Sequence, residues 1–186
     1  MAKRSRNDQL KRPLGPSDAV GEEFFRRPAA EVARELIGMT IAREAHGTTQ
    51  RNTITETEAY EGVHDLASHS SKGRSKRNEV MFGPAGRFYV YRVYGLHWIL
   101  NIVTGEVDEG AAVLIRGIEG VSGPGRVAAA LHVDGSLQGR PARKSSGLWF
   151  EAGALGAFSV KRTARIGVEY AGPIWAEKKL RFVPKA

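Results

Sequence analysis

The chain has 186 residues, none of them cysteine, and its formal net charge at pH 7 is +8. This length suits one domain with a buried core, and the lack of cysteine excludes disulfides and cysteine-based metal sites. No segment is long and apolar enough to span a bilayer, and the first residues lack the apolar core of a signal peptide. We therefore expect a cytoplasmic protein without a membrane partner.

Basic residues are concentrated in two segments. The first twelve residues contain five basic side chains and one acidic side chain. We expect residues 1 to 16 to form a disordered tail, because they offer almost nothing to bury. Such a tail either keeps the protein soluble or tethers it to a polyanion such as nucleic acid. The second segment is the glycine- and serine-rich stretch SKGRSKRN, in which the basic heads are expected to stay in water.

The first half of the chain predicts a helix, a strand and a hairpin. RRPAAEVARELIG predicts a helix with Pro28 in its first turn. NTITETEAY alternates as a strand that places Ile54, Glu56, Glu58 and Tyr60 on one face. Residues 61 to 84 are predicted to be rich in loops.

RFYVYRVYGLHWILNIV, residues 87 to 103, predicts two strands that meet at Tyr94 and Gly95. A tight hairpin turn usually carries Asn-Gly or Asp-Gly, because these residues adopt positive φ at low cost. Tyr94 is therefore an unexpected residue for the corner, and nothing in the neighbouring sequence is expected to bury its ring.

The second half predicts a strand, a helix and two closing strands. GAAVLIRGIEG is an apolar strand with one arginine, Arg116, and GPGRVAAALHV is a short helix that Pro124 opens. Residues 134 to 148 are predicted to be a loop, while ARIGVEY and KKLRFV are predicted to be strands. Because strands and helices do not alternate regularly, residues 17 to 186 are expected to form one α+β domain. Its sheet would be mixed and largely antiparallel, with peripheral helices.

Three polar side chains, Glu58, Asn101 and Arg116, lie within or at the end of apolar strands, where burial is costly unless they are paired. One interpretation is a structural ion pair between Glu58 and Arg116, with Asn101 capping a bulge. The other places all three in a pocket where Arg116 keeps Glu58 ionised and Glu58 deprotonates a water. The residue pattern leaves both interpretations open.

Aromatic residues accompany these polar groups. Tyr60 follows Glu58 on the same face, Tyr91 lies in the hairpin, and His69 lies in the loop between them. Tyrosines in strands commonly serve packing. Together with a carboxylate and an arginine, however, such rings also describe a slot for a flat, cationic ring.

A metal site is disfavoured. His46, His64, Asp65 and Asp108 follow the H…HD…D order of certain metal phosphohydrolases. Those enzymes present their ligands from helices, whereas the surroundings here predict strands and loops. The spacing of His64 and His69 within a loop matches no defined set of zinc ligands.

Several motifs, taken in order, resemble the alkyladenine (3-methyladenine) DNA glycosylase family. They are TETEAYEG, ASHS, KRNEVMFGPAGRFYVYRVYGLHWILNIV and GAAVLIRGIEG, followed by SGPGRVAAALHV and ARIGVEYAGPIWAEKKLRF. The resemblance runs from about Phe24 to about Val183 and leaves the basic tail outside. Two departures are a shorter SSKGRSKRN loop than in mammalian relatives and the presence of Leu96 and His97 beside Tyr94.

The resemblance implies a role for each matched position. Glu58 would be the catalytic base and Arg116 its partner at the water. Tyr60, His69 and Tyr91 would be the walls of the base pocket, with rings that stack on an extruded base.

The remaining matched residues would contact DNA or select the base. Asn101 would crowd the exocyclic amine of normal guanine. Tyr94 would enter the minor groove and fill the gap left in the base stack, so that the hairpin would protrude and intercalate. The residues expected to contact the DNA backbone are Lys72, Arg74, Lys76, Arg77 and Leu96.

The resemblance thus implies a base-excision repair enzyme of the 3-methyladenine DNA glycosylase II type, acting on double-stranded DNA that contains damaged purines. Expected substrates are 3-methyladenine, 7-methylguanine and hypoxanthine, with ethenoadenine as a further candidate. The enzyme would act as a monomer near the nucleoid, without cofactor or metal, and leave an abasic site. Because no lysine stands out as a Schiff-base nucleophile, strand cleavage is not expected. The alternative is a base-flipping lesion-binding protein with little turnover.

Overall fold

The computed structural model describes residues 19–153 and 159–185, so the predicted basic tail lies outside the described residues. The strands are β1 (Thr40–Ala45), β2 (Thr48–Tyr60), β3 (Phe88–Val93), β4 (His97–Thr104), β5 (Ala111–Ile118), β6 (Val121–Ser122), β7 (Leu148–Glu151), β8 (Val160–Thr163) and β9 (Arg181–Pro184). The helices are α1 (Glu22–Phe25), α2 (Ala29–Glu35), α3 (Pro124–Ala130) and α4 (Pro173–Glu177), and short 3₁₀ turns lie between several elements. No helix in these two segments is long and apolar enough to cross a membrane.

All nine strands found in residues 19–153 and 159–185 belong to one sheet, and every ladder in it is antiparallel. The central path runs β3-β4-β5-β2-β1-β7, with β6 on β5, β9 on β2 and β8 on β9. This architecture confirms the predicted single α+β domain with a largely antiparallel sheet. Strands β1 and β7 are additions that the sequence pattern does not predict.

Helices α2 and α3 cover one face of the sheet. Helix α2 packs against β2 and β5, and α3 packs against β4 and β5. Val32 and Ala33 of α2 and Val127 and Ala128 of α3 are completely buried, so the apolar side of each helix closes the main core. The opposite face of β2, β4 and β5 is not covered by these two helices.

The β-hairpin forms between β3 and β4, with Val93 opposite His97. Its loop has one residue more than the sequence suggests, because Leu96 joins Tyr94 and Gly95. The N–H of Leu96 donates to the carbonyl of Val93 at 3.0 Å. Tyr94 has φ +52° and Gly95 has φ +68°. A tyrosine in this left-handed region is uncommon, because a side chain with a Cβ atom is strained there.

The prediction that ARIGVEY forms a strand is wrong. Strand β8 ends at Thr163, and a loop with a 3₁₀ turn at Glu169–Ala171 follows it. Arg165 is buried in an ion pair with Asp65, and Gly167 has φ +74°, a conformation that breaks a strand. The alternating apolar residues of ARIGVEY predict a strand. This prediction fails because the pairing of Arg165 with the distant Asp65 cannot be seen in a local pattern.

The prediction that Ile54 shares a face with the carboxylates of β2 is also wrong. The register of β2 against β5 shifts on both sides of Glu56. Ile54 is completely buried in the same apolar core as Ala59, while Glu56 contacts Arg116 instead. A β-bulge re-aims side chains in this way, and one residue of irregularity is enough to change the face.

Candidate active site

A cavity of about 300 Å³ opens on the face of the sheet opposite helices α2 and α3. All six residues predicted for the catalytic site and the base pocket line it: Glu58, Tyr60, His69, Tyr91, Asn101 and Arg116. The alternation of the strands explains this convergence. Along β3, Phe88 and Val90 enter the core while Tyr89 and Tyr91 face the cavity, and β4 and β5 divide their residues in the same manner.

Glu58 is completely buried and is held by two hydrogen bonds. The backbone N–H of Ile166 donates to Oε1 at 3.0 Å, and the hydroxyl of Tyr60 donates to Oε2 at 3.0 Å. Burial raises the pKa of Glu58 above its ordinary value. The contact with Ile166, the charge of Arg116 and the contact with Tyr60 offset this rise only in part, and the charge of Glu56 adds to it.

Arg116 is shared between two carboxylates. Its Nε atom lies 2.9 Å from Oε1 of Glu56 and 3.7 Å from Oε1 of Glu58. The predicted partnership of Arg116 with Glu58 is therefore present, but the closer partner is Glu56. Arg181 approaches the same oxygen of Glu56 from the other side, with its Nε at 2.5 Å.

The aromatic walls contact one another. The ring centroids of His69 and Tyr91 are 4.7 Å apart, and those of Tyr89 and Tyr91 are 5.3 Å apart. Nδ1 of His69 lies 2.9 Å from the hydroxyl of Tyr89. Burial lowers the pKa of His69, and the positive charge of Arg77 lowers it further, so both effects favour the neutral imidazole.

Asn101 faces the cavity from a regular part of the sheet. It lies opposite Tyr89 on β3 and Leu114 on β5, and neither ladder has a register shift there. Its Nδ2 donates to the carbonyl of Tyr89 at 3.1 Å. The interpretation of Asn101 as the cap of a bulge is therefore wrong, since the bulge lies elsewhere, at Glu56.

Two of the residues predicted to meet DNA are exposed at the hairpin loop. The side chain of Tyr94 is 91% exposed and that of Leu96 is 73% exposed. An aromatic ring with so little protein contact gains nothing from the fold itself. Both side chains are therefore accessible to a molecule outside the protein.

The four basic residues of SKGRSKRN are all exposed, but two of them have protein contacts. Arg74 forms an ion pair with Asp108 and lies over the ring of Phe82 at 4.9 Å. Arg77 lies 5.5 Å from the ring centroid of Tyr91, at the aromatic wall of the cavity. Lys72 and Lys76 are exposed as the sequence predicts, and Lys72 lies in the 3₁₀ turn His69–Lys72.

Sequence reasoning missed the segment that carries Ile166. Arg165 donates to Asp65 through both terminal nitrogens, at 2.5 and 2.9 Å, and both side chains are completely buried. Arg165 also donates to the carbonyl of Ala59 at 2.9 Å and lies 4.8 Å from the ring centroid of Tyr60. The sequence contains Arg165 and Asp65 100 positions apart, and no local pattern connects them.

The residues considered for a metal site have other contacts. Asp65 is paired with Arg165, and the ring of His64 lies 5.8 Å from that of Trp175. The ring of His46 lies 5.7 Å from that of His132. Across residues 19–153 and 159–185, no three His, Asp or Glu side chains are grouped so that they could hold a metal ion.

Comparison with known proteins gives a consistent result. The family described as methylpurine-DNA glycosylase (MPG) matches residues 23–122 and 119–186. A protein of Myxococcus xanthus is 44% identical over 171 residues, which covers 87% of each chain. Proteins of Legionella pneumophila (strain Paris) and Methanocella arvoryzae are 40% and 39% identical, covering 87% and 81% of this chain and 92% and 84% of their own. Each is named "Putative 3-methyladenine DNA glycosylase". This chain therefore belongs to the methylpurine-DNA glycosylase family, whose members hydrolyse N-glycosyl bonds in DNA.

Proposed function

We propose that this protein is a base-excision repair enzyme in which Glu58 activates the water that releases a damaged purine. One observation carries the proposal: a completely buried carboxylate, held by two donors, faces a cavity with aromatic walls. The buried target bond of a duplex is out of reach for such a cavity unless the nucleotide is extruded. We therefore propose that the base enters the cavity and lies among Tyr60, His69 and Tyr91.

The chemistry needs only one carboxylate. A methylated purine carries a positive charge and is a good leaving group, and the sugar gains oxocarbenium character as the base departs. Glu58 stabilises that cation and accepts a proton from water, whose oxygen bonds to C1′ while the base takes the electron pair of the C1′–N bond. Because the base leaves readily, the second carboxylate of most sugar hydrolases is not required. A raised pKa makes Glu58 a better proton acceptor at neutral pH.

The walls of the cavity favour particular bases. Tyrosine faces attract a cation, so 3-methyladenine and 7-methylguanine are preferred over the neutral normal purines. Asn101 is buried at 4% exposure and fixed by Tyr89, so it is a rigid obstacle to the exocyclic amine of normal guanine. 7-Methylguanine has the same amine, and it is released in spite of Asn101 because its cationic ring is a good leaving group. Hypoxanthine, which has no such amine, is accepted, and ethenoadenine is a further substrate to test.

The surface supports opening of the duplex. Tyr94 enters the minor groove and replaces the extruded base in the stack, which offsets part of the lost stacking energy. Leu96 lies beside Tyr94 in the hairpin loop and contacts the DNA backbone. Basic side chains of the SKGRSKRN loop contact phosphates without reading sequence. A single copy of the chain contains all of these parts, so we propose that it acts as a monomer.

The proposal is tested by single-turnover assays on duplexes that each contain one hypoxanthine, ethenoadenine or 7-methylguanine, followed by hot alkali. We expect release of the damaged base, with strand breaks that form only after alkali because no Schiff base forms. Breaks before alkali would contradict a monofunctional enzyme. Tight binding of every lesion without any release would instead favour the lesion-binding alternative.

A further inference from the structure

We infer that Glu56 is a positioning residue for base excision, because it holds the guanidinium of Arg116 beside Glu58 while Arg181 holds Glu56. We call these three residues, Glu56, Arg116 and Arg181, the arginine clamp. The inference rests on the proposed roles of Glu58 and Arg116. It assigns a role to Glu56, a buried carboxylate that the proposed mechanism does not use.

The contacts of Glu56 carry the inference. Glu56 is only 7% exposed, and a single one of its oxygens, Oε1, contacts both Nε of Arg116 at 2.9 Å and Nε of Arg181 at 2.5 Å. The two arginines come from β5 and β9, the strands that pair with β2 on the two sides of this segment. Arg181 also donates to Oγ1 of Thr163 at 3.2 Å, so the outer arm of the clamp is itself anchored.

The backbone is irregular at the place where the clamp forms. In the β2–β5 ladder Glu56 lies opposite Gly117 and Thr57 lies opposite Ile115, so Arg116 has no register partner. A Cβ atom on Gly117 would lie 2.7 Å from the Cβ of Glu56, which explains the glycine at that position. Bulges are a common means of re-aiming one side chain next to an active site. Here the irregularity leaves Arg116 outside the β2–β5 register, and its Nε forms an ion pair with Glu56 by distance without a hydrogen bond between them.

The charges explain why a second carboxylate is useful. Without Glu56, the nearest anion to Arg116 would be Glu58, and a close pair would reduce the basicity of Glu58. With Glu56 in place, Nε of Arg116 stays 3.7 Å from Glu58. The groups that act on Glu58 are Tyr60 and Glu56 from β2, Arg116 from β5, Tyr91 from β3, and Arg165 and Tyr170 from the loop that follows β8. Glu56 is the acidic member of this set.

The test compares Glu56→Gln with Glu151→Gln in single-turnover excision across pH. Glu151 is a matched control, because it is 2% exposed, accepts from Nε of Arg51 at 2.9 Å and lies on β7, away from the cavity. We expect Glu56→Gln to reduce the rate by about 10- to 100-fold, as misplaced catalytic groups do. The acidic limb of its pH profile should move to lower pH, because a negative charge next to Glu58 is lost. Glu151→Gln should keep the wild-type rate per folded molecule and the wild-type limb.

A second measurement guards against a merely structural effect. In an Arg116→Gln background, Glu56→Gln should add little to the loss of rate, because Glu56 acts through Arg116. If Glu56→Gln does not fold, Glu56→Asp keeps the charge and withdraws the carboxylate by one methylene. We then expect a slower rate with an unmoved acidic limb.

The inference is overturned by a wild-type rate in either Glu56 variant, by fully additive losses with Arg116→Gln, or by equal effects of Glu56→Gln and Glu151→Gln. Failure of the proposed function has a different signature, in which wild-type protein releases no base at all. The wild-type assay therefore separates the two.

Discussion

The backbone N–H of Ile166 donates to Glu58 at 3.0 Å, although the two residues are 108 positions apart in the chain. Ile166 directly follows Arg165, whose guanidinium is fixed by the buried carboxylate of Asp65. The same guanidinium lies against the ring of Tyr60, the second donor to Glu58. One buried ion pair thus supports both hydrogen bonds that orient the Glu58 carboxylate.

The rate of excision should depend on pH through Glu58. Burial raises the pKa of this carboxyl, and the group must be ionised to accept a proton. The single-turnover rate is therefore expected to fall as pH decreases through the raised pKa. This fall should occur at a higher pH than for an ordinary glutamate, whose pKa is about 4.3. Single-turnover rates on a neutral lesion such as hypoxanthine, measured across pH, check this. A rate that stays level down to the ordinary range would show that Glu58 does not limit the reaction.

The stability of the protein should also report on Glu58. Because its pKa is raised in the folded state, the folded protein binds this proton more tightly than the unfolded chain does. Stability from this group is then present in acid and is lost as pH rises through the folded-state pKa. Glu58→Gln is expected to be more stable than wild type at neutral pH, with the difference shrinking in acid. Thermal unfolding of both proteins at two pH values measures this, and a less stable variant at neutral pH would contradict it.

Loss of the buried ion pair should be costly. Asp65→Asn leaves the guanidinium of Arg165 buried without a counter-charge, and we expect the free energy of unfolding to fall by about 3–5 kcal/mol. Asp108→Asn is the matched control, because Asp108 pairs with Arg74 at the surface, where the expected loss is about 0–1 kcal/mol. Denaturant unfolding measures both. Similar losses in the two variants would show that the buried pair has no special role in the fold.

The exposed ring of Tyr94 should act on duplex DNA only. Tyr94→Ala is expected to weaken binding to a lesion-containing duplex by about 1–3 kcal/mol, the usual value of an aromatic ring stacked on a base. Binding to a single strand with the same lesion should change little, since no gap in a stack needs filling there. Tyr94→Phe keeps the ring and serves as the control. Equal losses on duplex and single strand after Tyr94→Ala would contradict intercalation.

Local patterns in the sequence were sufficient for much of the fold and the cavity. The α+β class, the hairpin and the helices at Pro28 and Pro124 follow from periodicity and breaker residues. The polar residues Glu58 and Arg116 stood out because charged side chains are rare in apolar strands. The structure indeed brings both to one cavity.

What could not be predicted depends on contacts between distant parts of the chain. The bulge at Glu56 is a property of two paired strands, so β2 alone reads as a regular alternation that includes Ile54. The ion pair of Arg165 with Asp65 joins residues 100 positions apart, and without it ARIGVEY resembles a strand. The closest partner of Arg116, Glu56, likewise follows from the register of β2 and β5. Strand pairing, strand register and long-range ion pairs therefore could not be predicted from local sequence patterns.

The central claim is tested most directly by single-turnover excision of hypoxanthine from a duplex, with wild type and Glu58→Gln side by side and lesion binding measured on the same samples. Glu58→Gln keeps the size of the side chain and removes its capacity to accept a proton. We expect wild type to release the base, and Glu58→Gln to bind the lesion normally while excision falls by about 100-fold or more. Excision by Glu58→Gln at the wild-type rate would remove Glu58 from the mechanism and make its contacts with Arg116, Tyr60 and Ile166 purely structural.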